Sequence, residues 1–146
     1  MISKKMKYAL KALIHIANQP DGFAKTMDIA QKAMIPKSFL EQILLQLKQG
    51  RIINSKQGNV GGFYFAKNPS DVTLADIHRI IDGPIALVAC ASKNYYMPCA
   101  DCADEKTCRI RLALIKVRDE TLKILEQTSI ADMAGKEVFY AATFDI

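Results

Sequence analysis

The chain has 146 residues, half of them apolar, and a net charge of +5. That length supplies a core for one domain, and that composition excludes intrinsic disorder. No apolar run reaches the roughly 18 residues that cross a bilayer, and Lys7 and Lys11 interrupt the apolar stretch that a signal peptide would keep whole. The expected setting is the cytoplasm.

The charge is uneven. Residues 1–67 hold 11 Lys/Arg against 3 Asp/Glu, and residues 68–146 hold 9 against 12. A basic half beside an acidic half points to a polyanion partner for the first half.

The apolar spacing of Tyr8, Ala12, Leu13, Ile16 and Ala17 predicts a first helix over residues 3–18, stopped by Pro20-Asp21-Gly22. A short helix follows from Thr26, read as its N-cap, to Met34, with Ile29, Ala30 and Ala33 facing inward. A tight Ile35-Pro36 link leads to a third helix from Pro36, its first residue, to about Gln49, whose stripe is Leu40, Ile43, Leu44 and Leu47 and whose stop is Gly50. Two short helices joined in this way form a helix-turn-helix. Residues 51–56 read as a strand, residues 57–62 as a glycine-rich turn and residues 63–66 as the returning strand. A hairpin directly after a helix-turn-helix is a wing.

Thr73-Leu74-Ala75-Asp76 is a capping box that opens a fourth helix, and Gly83-Pro84 stops it. A long helix spans about 107–127, and Ser129-Ile130-Ala131-Asp132 is a second capping box. The fold class is therefore mainly α: a winged helix-turn-helix domain with a β-hairpin wing and a long C-terminal dimerisation helix. Residues 1–84 form the DNA-binding domain, 85–108 a cysteine loop, 109–134 the dimerisation and terminal helices, and 135–146 a tail.

The third helix is the candidate recognition helix. Ser38 and Gln42 lie one turn apart near its N-terminal end, the part that reaches base edges. Gln42 can pair with adenine and Glu41 can accept from a cytosine amino group. Lys37 and Lys48 are placed to hold phosphates. Gln46 is a further polar member of this helix. In the wing, Lys56, Gln57 and Asn59 are placed for phosphate or the minor groove, and Gly61 lets the backbone approach DNA.

Cys90, Cys99, Cys102 and Cys108 fall within 19 residues, separated by eight, two and five residues. Clustered thiols in a cytosolic chain indicate metal or redox chemistry. Four thiolates suit tetrahedral zinc or the irons of a cluster. The spacing fits neither paired zinc knuckles nor a ferredoxin run. Lys93, Lys106, Arg109 and Arg111 flank the loop and favour thiolate. A dithiol enzyme built on Cys99 and Cys102 lacks the surrounding strand–helix pattern, so the chain is not read as an enzyme. His15 and His78 read as packing or surface histidines. The long helix is apolar over most of its girth, through Ile110, Leu114, Val117 and Ile124 and through Leu112, Ile115, Leu122 and Leu125. Such a helix is buried on two sides, one against its own domain and one against a second copy.

Several pieces together resemble the IscR/NsrR family of bacterial winged-helix regulators. They are Lys7-Tyr8-Ala9-Leu10-Lys11-Ala12-Leu13, Phe39-Leu40-Glu41-Gln42, the wing from Gly58 to Phe63, Thr73-Leu74-Ala75-Asp76-Ile77 with Asp82-Gly83-Pro84, and the cysteine loop before a long helix. The resemblance implies a homodimer that binds double-stranded operator DNA. It also implies an iron–sulfur cluster, [2Fe–2S] or [4Fe–4S], responsive to cluster supply, nitric oxide, iron or redox stress. The family's recognition contacts correspond to Ser38, Glu41 and Gln42, and its three cysteine ligands to Cys90, Cys102 and Cys108. Its wing arginine is replaced by Gln57. Its non-cysteine ligand positions hold Arg111 and Lys7, so Cys99 is the candidate fourth ligand. Some relatives lack the cluster; the competing readings are a zinc-stabilised regulator and one that senses through its thiols directly.

Overall fold

The computed structural model describes residues 2–135; the predicted tail lies almost wholly outside them. Ser3 opens helix α1 (Lys4–Ala17), its hydroxyl accepting from the Met6 N–H at 2.9 Å. Met6, Ala9, Ala12, Leu13 and Ile16 recur at helical spacing and are all buried. Around this face pack α2 (Thr26–Lys32), α3 (Lys37–Gln49), α4 (Leu74–Ile81) and α6 (Ile130–Ala134). The long α5 (Arg109–Gln127) lies against α4.

Leu40, Ile43, Leu44 and Leu47 turn the inner face of α3 into the core, each at 1% exposure or less. Burial of each is worth about 1.5–3 kcal/mol relative to leaving it in water. The link between α2 and α3 is tight because Met34 adopts a left-handed backbone, φ 53°, after which the Ile35 N–H returns to the Ala30 carbonyl at 2.9 Å. A non-glycine residue there costs about 1 kcal/mol, offset by burial of Ile35 and Ala33 beside it.

The sheet has three antiparallel strands in the order β1 (Phe23–Ala24), β3 (Gly62–Phe65), β2 (Ile53–Lys56). The register runs from Ile53 opposite Phe65 to Lys56 opposite Gly62. Strand β1, two residues long, pairs with β3 through Phe23–Tyr64 and Ala24–Phe63; nothing in the sequence reading anticipated it. Three local expectations are corrected. Thr26 is the first helical residue, not the cap; Lys25 takes the cap position with no side-chain bond. Pro36 is the cap of α3 rather than its first residue. Arg51 lies outside the strand at φ 58°, because the Ile52 N–H folds back onto the Leu47 carbonyl at 2.9 Å.

Both predicted capping boxes are present, at Thr73/Asp76 and Ser129/Asp132. They sit side by side: Thr73 and Ser129 form a bridge, with Leu74 N–H to Thr128 O at 2.9 Å and Ile130 N–H to Val72 O at 2.8 Å. The starts of α4 and α6 are thereby joined. An Arg79–Glu126 pair at 3.1 Å ties α4 to the end of α5. Most of the apolar surface of α5 is open in the single chain: Leu122 alone is buried, while Ile110 is 72% and Ile124 62% exposed.

Asp82 closes α4 and reaches back to the start of α1, accepting from the Ser3 N–H at 2.9 Å and from the Ser3 hydroxyl. Burial raises the affinity of this carboxyl for protons, but the Ser3 bonds outweigh it and hold its pKa below the usual carboxylate value. A depressed folded pKa contributes stability that is complete above the unfolded value, near 4, and is lost as pH falls through the folded one. Asp82→Asn is therefore expected to cost about 1–2 kcal/mol at pH 7. In urea unfolding, the gap to wild type should close as pH falls below the carboxylate range; a gap that persists in strong acid would assign the loss to packing instead.

Candidate functional site: recognition helix, wing and cysteine cavity

Helix α3 exposes Lys37, Ser38, Glu41, Gln42 and Lys48. Ser38, Glu41 and Gln42 share one face by their three- and four-residue spacing, and that face continues to Leu45, which is 55% exposed. Leu45 was not anticipated; an apolar residue on the outer face of an amphipathic helix was the available signal. Lys37 pairs with Glu41 at 3.7 Å, both well exposed, a contact worth well under about 1 kcal/mol. Lys48, expected to hold phosphate, donates to the Ser55 hydroxyl at 2.7 Å and so links α3 to the wing strand β2. Gln46 points differently from its neighbours, with its Oε1 buried and without a hydrogen-bond partner.

The wing is the β2–β3 hairpin. Lys56, Gln57 and Asn59 are exposed around its tip, and so is Val60 at 66%. Gly58 has φ 107°, and the Gly61 N–H closes the turn on the Gly58 carbonyl at 2.8 Å. A Cβ on Gly61 would lie 2.5 Å from the Lys56 carbonyl oxygen. Gly61 is thus required by the turn itself, apart from any role at DNA.

Of the four cysteines, Cys90 is buried in a single 3-10 turn (Ala89–Ala91), Cys99 is exposed, and Cys102 and Cys108 are half-buried. All four line one cavity of about 330 Å³, together with Met97, Asp101, Glu105 and Arg111. Cys108 is the N-cap of α5, its Sγ accepting from the Arg111 N–H at 3.5 Å. That backbone donor holds the Cys108 thiol below the ordinary range, helped by the neighbouring Cys102. Cys102 is pushed the other way, by loss of solvent and by the same Cys108 contact. Glu105 accepts from the Tyr96 hydroxyl and from the Cys99 N–H, which keep its carboxyl ionised to lower pH than usual, and its bond to Tyr96 raises that phenol.

Four soft thiol donors around one cavity match the chemistry that zinc and iron–sulfur clusters require. Among the described residues, no three His, Cys, Asp or Glu side chains are already gathered to hold a single ion. The cavity is a lining of donors rather than a closed coordination shell. Neither histidine belongs to it. His15 contacts Gln19 at 3.3 Å and His78 the Gly83 carbonyl at 3.3 Å, as packing residues do. A larger cleft of about 700 Å³ lies between the α1–α4 side and α5, mostly apolar, with Met6, Leu10, His78, Val117 and Leu125 among its walls.

A basic helix-turn-helix followed by a wing, with a long helix behind it, defines a winged-helix DNA-binding regulator. The sequence profile of Rrf2, described as an iron-dependent transcriptional regulator, matches residues 2–136, and the chain belongs to that family. An Rrf2-like HTH-type transcriptional regulator of Rhodobacter capsulatus is 42% identical over 137 residues, 91% of each protein. The structure of CymR, the global cysteine regulator of B. subtilis, superposes with a TM-score of 0.73 at 28% identity, covering 92% of this chain and 95% of that one. T. potens IscR gives a TM-score of 0.73 at 22% identity over 98% of this chain and 91% of that one, a likeness of fold. The family's members are transcription regulators, not enzymes. No helix among the described residues is long and apolar enough to cross a membrane.

Gly62 sits where the wing meets β1, and a Cβ there would fall 2.5 Å from the Ala24 carbonyl oxygen. Gly62→Ala should force β1 from β3 and cost about 1–3 kcal/mol in chemical unfolding. Faster amide exchange in residues 23–24 than in α1 would localise the effect; uniform destabilisation would contradict it.

Proposed function

We propose that the chain is a dimeric, sequence-specific DNA-binding regulator that senses iron–sulfur, redox or nitric oxide status through a cofactor held by Cys90, Cys99, Cys102 and Cys108. The observation that carries this reading is the convergence of all four thiols on one cavity at the N-terminus of α5. When bound, an iron–sulfur cluster supplies a centre that oxidants and nitric oxide can damage. The protein's part is to hold the donors. Cys90 is supplied by a buried turn and Cys108 by the cap of the long helix, so the cavity is continuous with α5. Occupancy regulates only through a different affinity for two conformers of the chain.

The open faces of α5, with Ile110, Leu112, Val117 and Ile124, are proposed to be covered by a second copy. A two-fold dimer presents two recognition helices to successive major grooves, about 34 Å apart. In each, Ser38, Glu41 and Gln42 read bases. Lys37, Lys56, Gln57 and Asn59 hold the backbone, and Gly61 keeps the tip narrow. Lys48 acts on the wing through Ser55 as well as on phosphate. The proposed division of the chain follows: residues 1–84 bind DNA, 85–108 hold the cofactor and 109–134 dimerise.

The second reading is a regulator without a cluster whose thiols respond directly. It is favoured by Cys102 and Cys108 lining the same cavity, with the Cys108 thiol held below the ordinary range by the Arg111 N–H, and by the likeness to CymR, the global cysteine regulator of B. subtilis. Zinc in the same cavity is the remaining cofactor alternative.

Selection from random duplexes should yield a two-fold symmetric site. Gln42→Ala should relax base preference at one position per half-site at a cost of about 1–3 kcal/mol, while Lys56→Ala weakens all sequences alike and lowers the salt slope by about 1. Equal losses on every duplex for Gln42→Ala would remove it from base reading.

Protein purified without oxygen, with iron and sulfide supplied, should be brown and hold iron and sulfide in equal amounts. Cys99→Ala should change the visible spectrum. A colourless protein with one zinc per chain favours zinc, a metal-free one favours direct thiol sensing, and an unchanged Cys99→Ala spectrum removes Cys99 from the ligand set.

A further inference from the structure

Residues 85–108 contain no helix or strand beyond one 3-10 turn. Beyond a few main-chain bonds such as Met97 N–H to the Ala89 carbonyl, side chains hold the cysteine loop in place. Glu105 Oε1 accepts from the Cys99 N–H at 2.9 Å, and Oε2 accepts from the Tyr96 hydroxyl. The same Oε2 lies 4.0 Å from Arg111 Nε. That Nε donates to the main-chain carbonyl of Cys90 at 2.9 Å. Two turns further along α5, Arg118 donates to the Ala91 carbonyl, and Asp119 pairs with Lys93 at 3.4 Å. Glu105 and Arg111 are about a quarter exposed, 23% and 24%, so their contact is partly shielded from solvent.

We propose that Glu105 and Arg111 are the positioning residues of the cysteine cavity: Glu105 fixes the Cys99 segment, Arg111 fixes the Cys90 segment, and their contact locks both to α5. Neither residue supplies a thiol. A guanidinium keeps its charge and has no lone pair for a metal, so Arg111 serves by orienting Cys90 and by balancing thiolate charge. Its Nε–H donates to the Cys90 carbonyl while the guanidinium charge stays beside the Glu105 carboxylate. Cys90 and Cys99 are thereby referenced to the helix that Cys108 caps. The purpose of this frame rests on the cavity being a cofactor site; the frame itself belongs to the chain without cofactor.

The test is pulse labelling of the full-length, cofactor-free protein with N-ethylmaleimide under argon, with each cysteine quantified by peptide mass spectrometry. Arg111→Met should speed labelling of buried Cys90 about five-fold, the change in an opening equilibrium that one lost hydrogen bond produces, and Glu105→Ala about two-fold, as loss of a partly exposed ion pair does. Glu105 has no hydrogen bond to Cys90, so acceleration there in Glu105→Ala is transmitted through Arg111. The double variant should then gain little over Arg111→Met. Glu105→Gln retains an acceptor for the Cys99 N–H. It should free Cys90 while leaving Cys99 near its wild-type rate, and it gives the same reading if Glu105→Ala does not fold. Wild-type Cys90 rates in Arg111→Met and Glu105→Gln would overturn the proposal, as would fully additive rates in the double variant. Anaerobic incubation with ferrous iron and sulfide separates this outcome from the cofactor reading. A shifted visible spectrum in Glu105→Gln supports both. Accelerated Cys90 in variants of a protein that takes up neither iron nor sulfide retains the frame and removes the cluster.

Discussion

The buried face of α1 is the constraint on which the other elements depend. Ala9 and Ala12 keep that face low where Met6, Leu13 and Ile16 fill the space around them, and all five are essentially without solvent contact. Small residues between large ones let several elements approach one helix closely. The helix-turn-helix packs on it, as do β1 and β3 of the sheet, and so do α4 and α6. The Ser3–Asp82 bonds then fasten the start of α1 to the end of α4, where the chain leaves for the cysteine loop. The DNA-binding face and the loop thus share a common support, although Cys90 and Gln42 are far apart in sequence.

What the sequence disclosed followed from periodicity and from local chemistry. The stripe Leu40, Ile43, Leu44 and Leu47 marked α3 because a helix repeats its inner face every three or four residues. The capping boxes were readable because Thr73 and Asp76, or Ser129 and Asp132, satisfy each other within four residues. Their pairing with each other was not readable, since nothing local joins Thr73 to Ser129 across 56 positions. Strand β1 escaped because two residues carry no alternation; only its partner β3 makes it a strand. Thr26 misled because a hydroxyl in front of an apolar run looks the same whether it caps the helix or begins it.

The cysteine loop divides the same way. Sequence clustering announced the four thiols, and the cavity they line agrees with that. The side chains that organise them were silent, because an acid and an arginine in a loop and a helix are commonplace. Arg118 is a plain example: its partner is a main-chain carbonyl 27 positions away, and a carbonyl has no sequence signature. The site residues at the DNA face were legible as types but not as engagements. Lys48 is readable as a phosphate contact, but its bond to Ser55 left no trace in the sequence.

That last bond has a mechanical consequence. Lys48 belongs to the recognition helix and Ser55 to the wing, so the two reading elements of one copy are cross-braced. Strand β2 adds to the brace by following α3 through the backfolded Ile52 N–H. A brace of this kind makes the reading head turn as one piece rather than open and close like a pair of fingers. In a two-fold assembly, the quantity left free to vary is the separation and tilt between two rigid heads. Under the proposed dimer and cysteine-cavity sensing, a signal would therefore be felt at DNA as a mismatch in spacing between half-sites rather than as a change in the shape of either head.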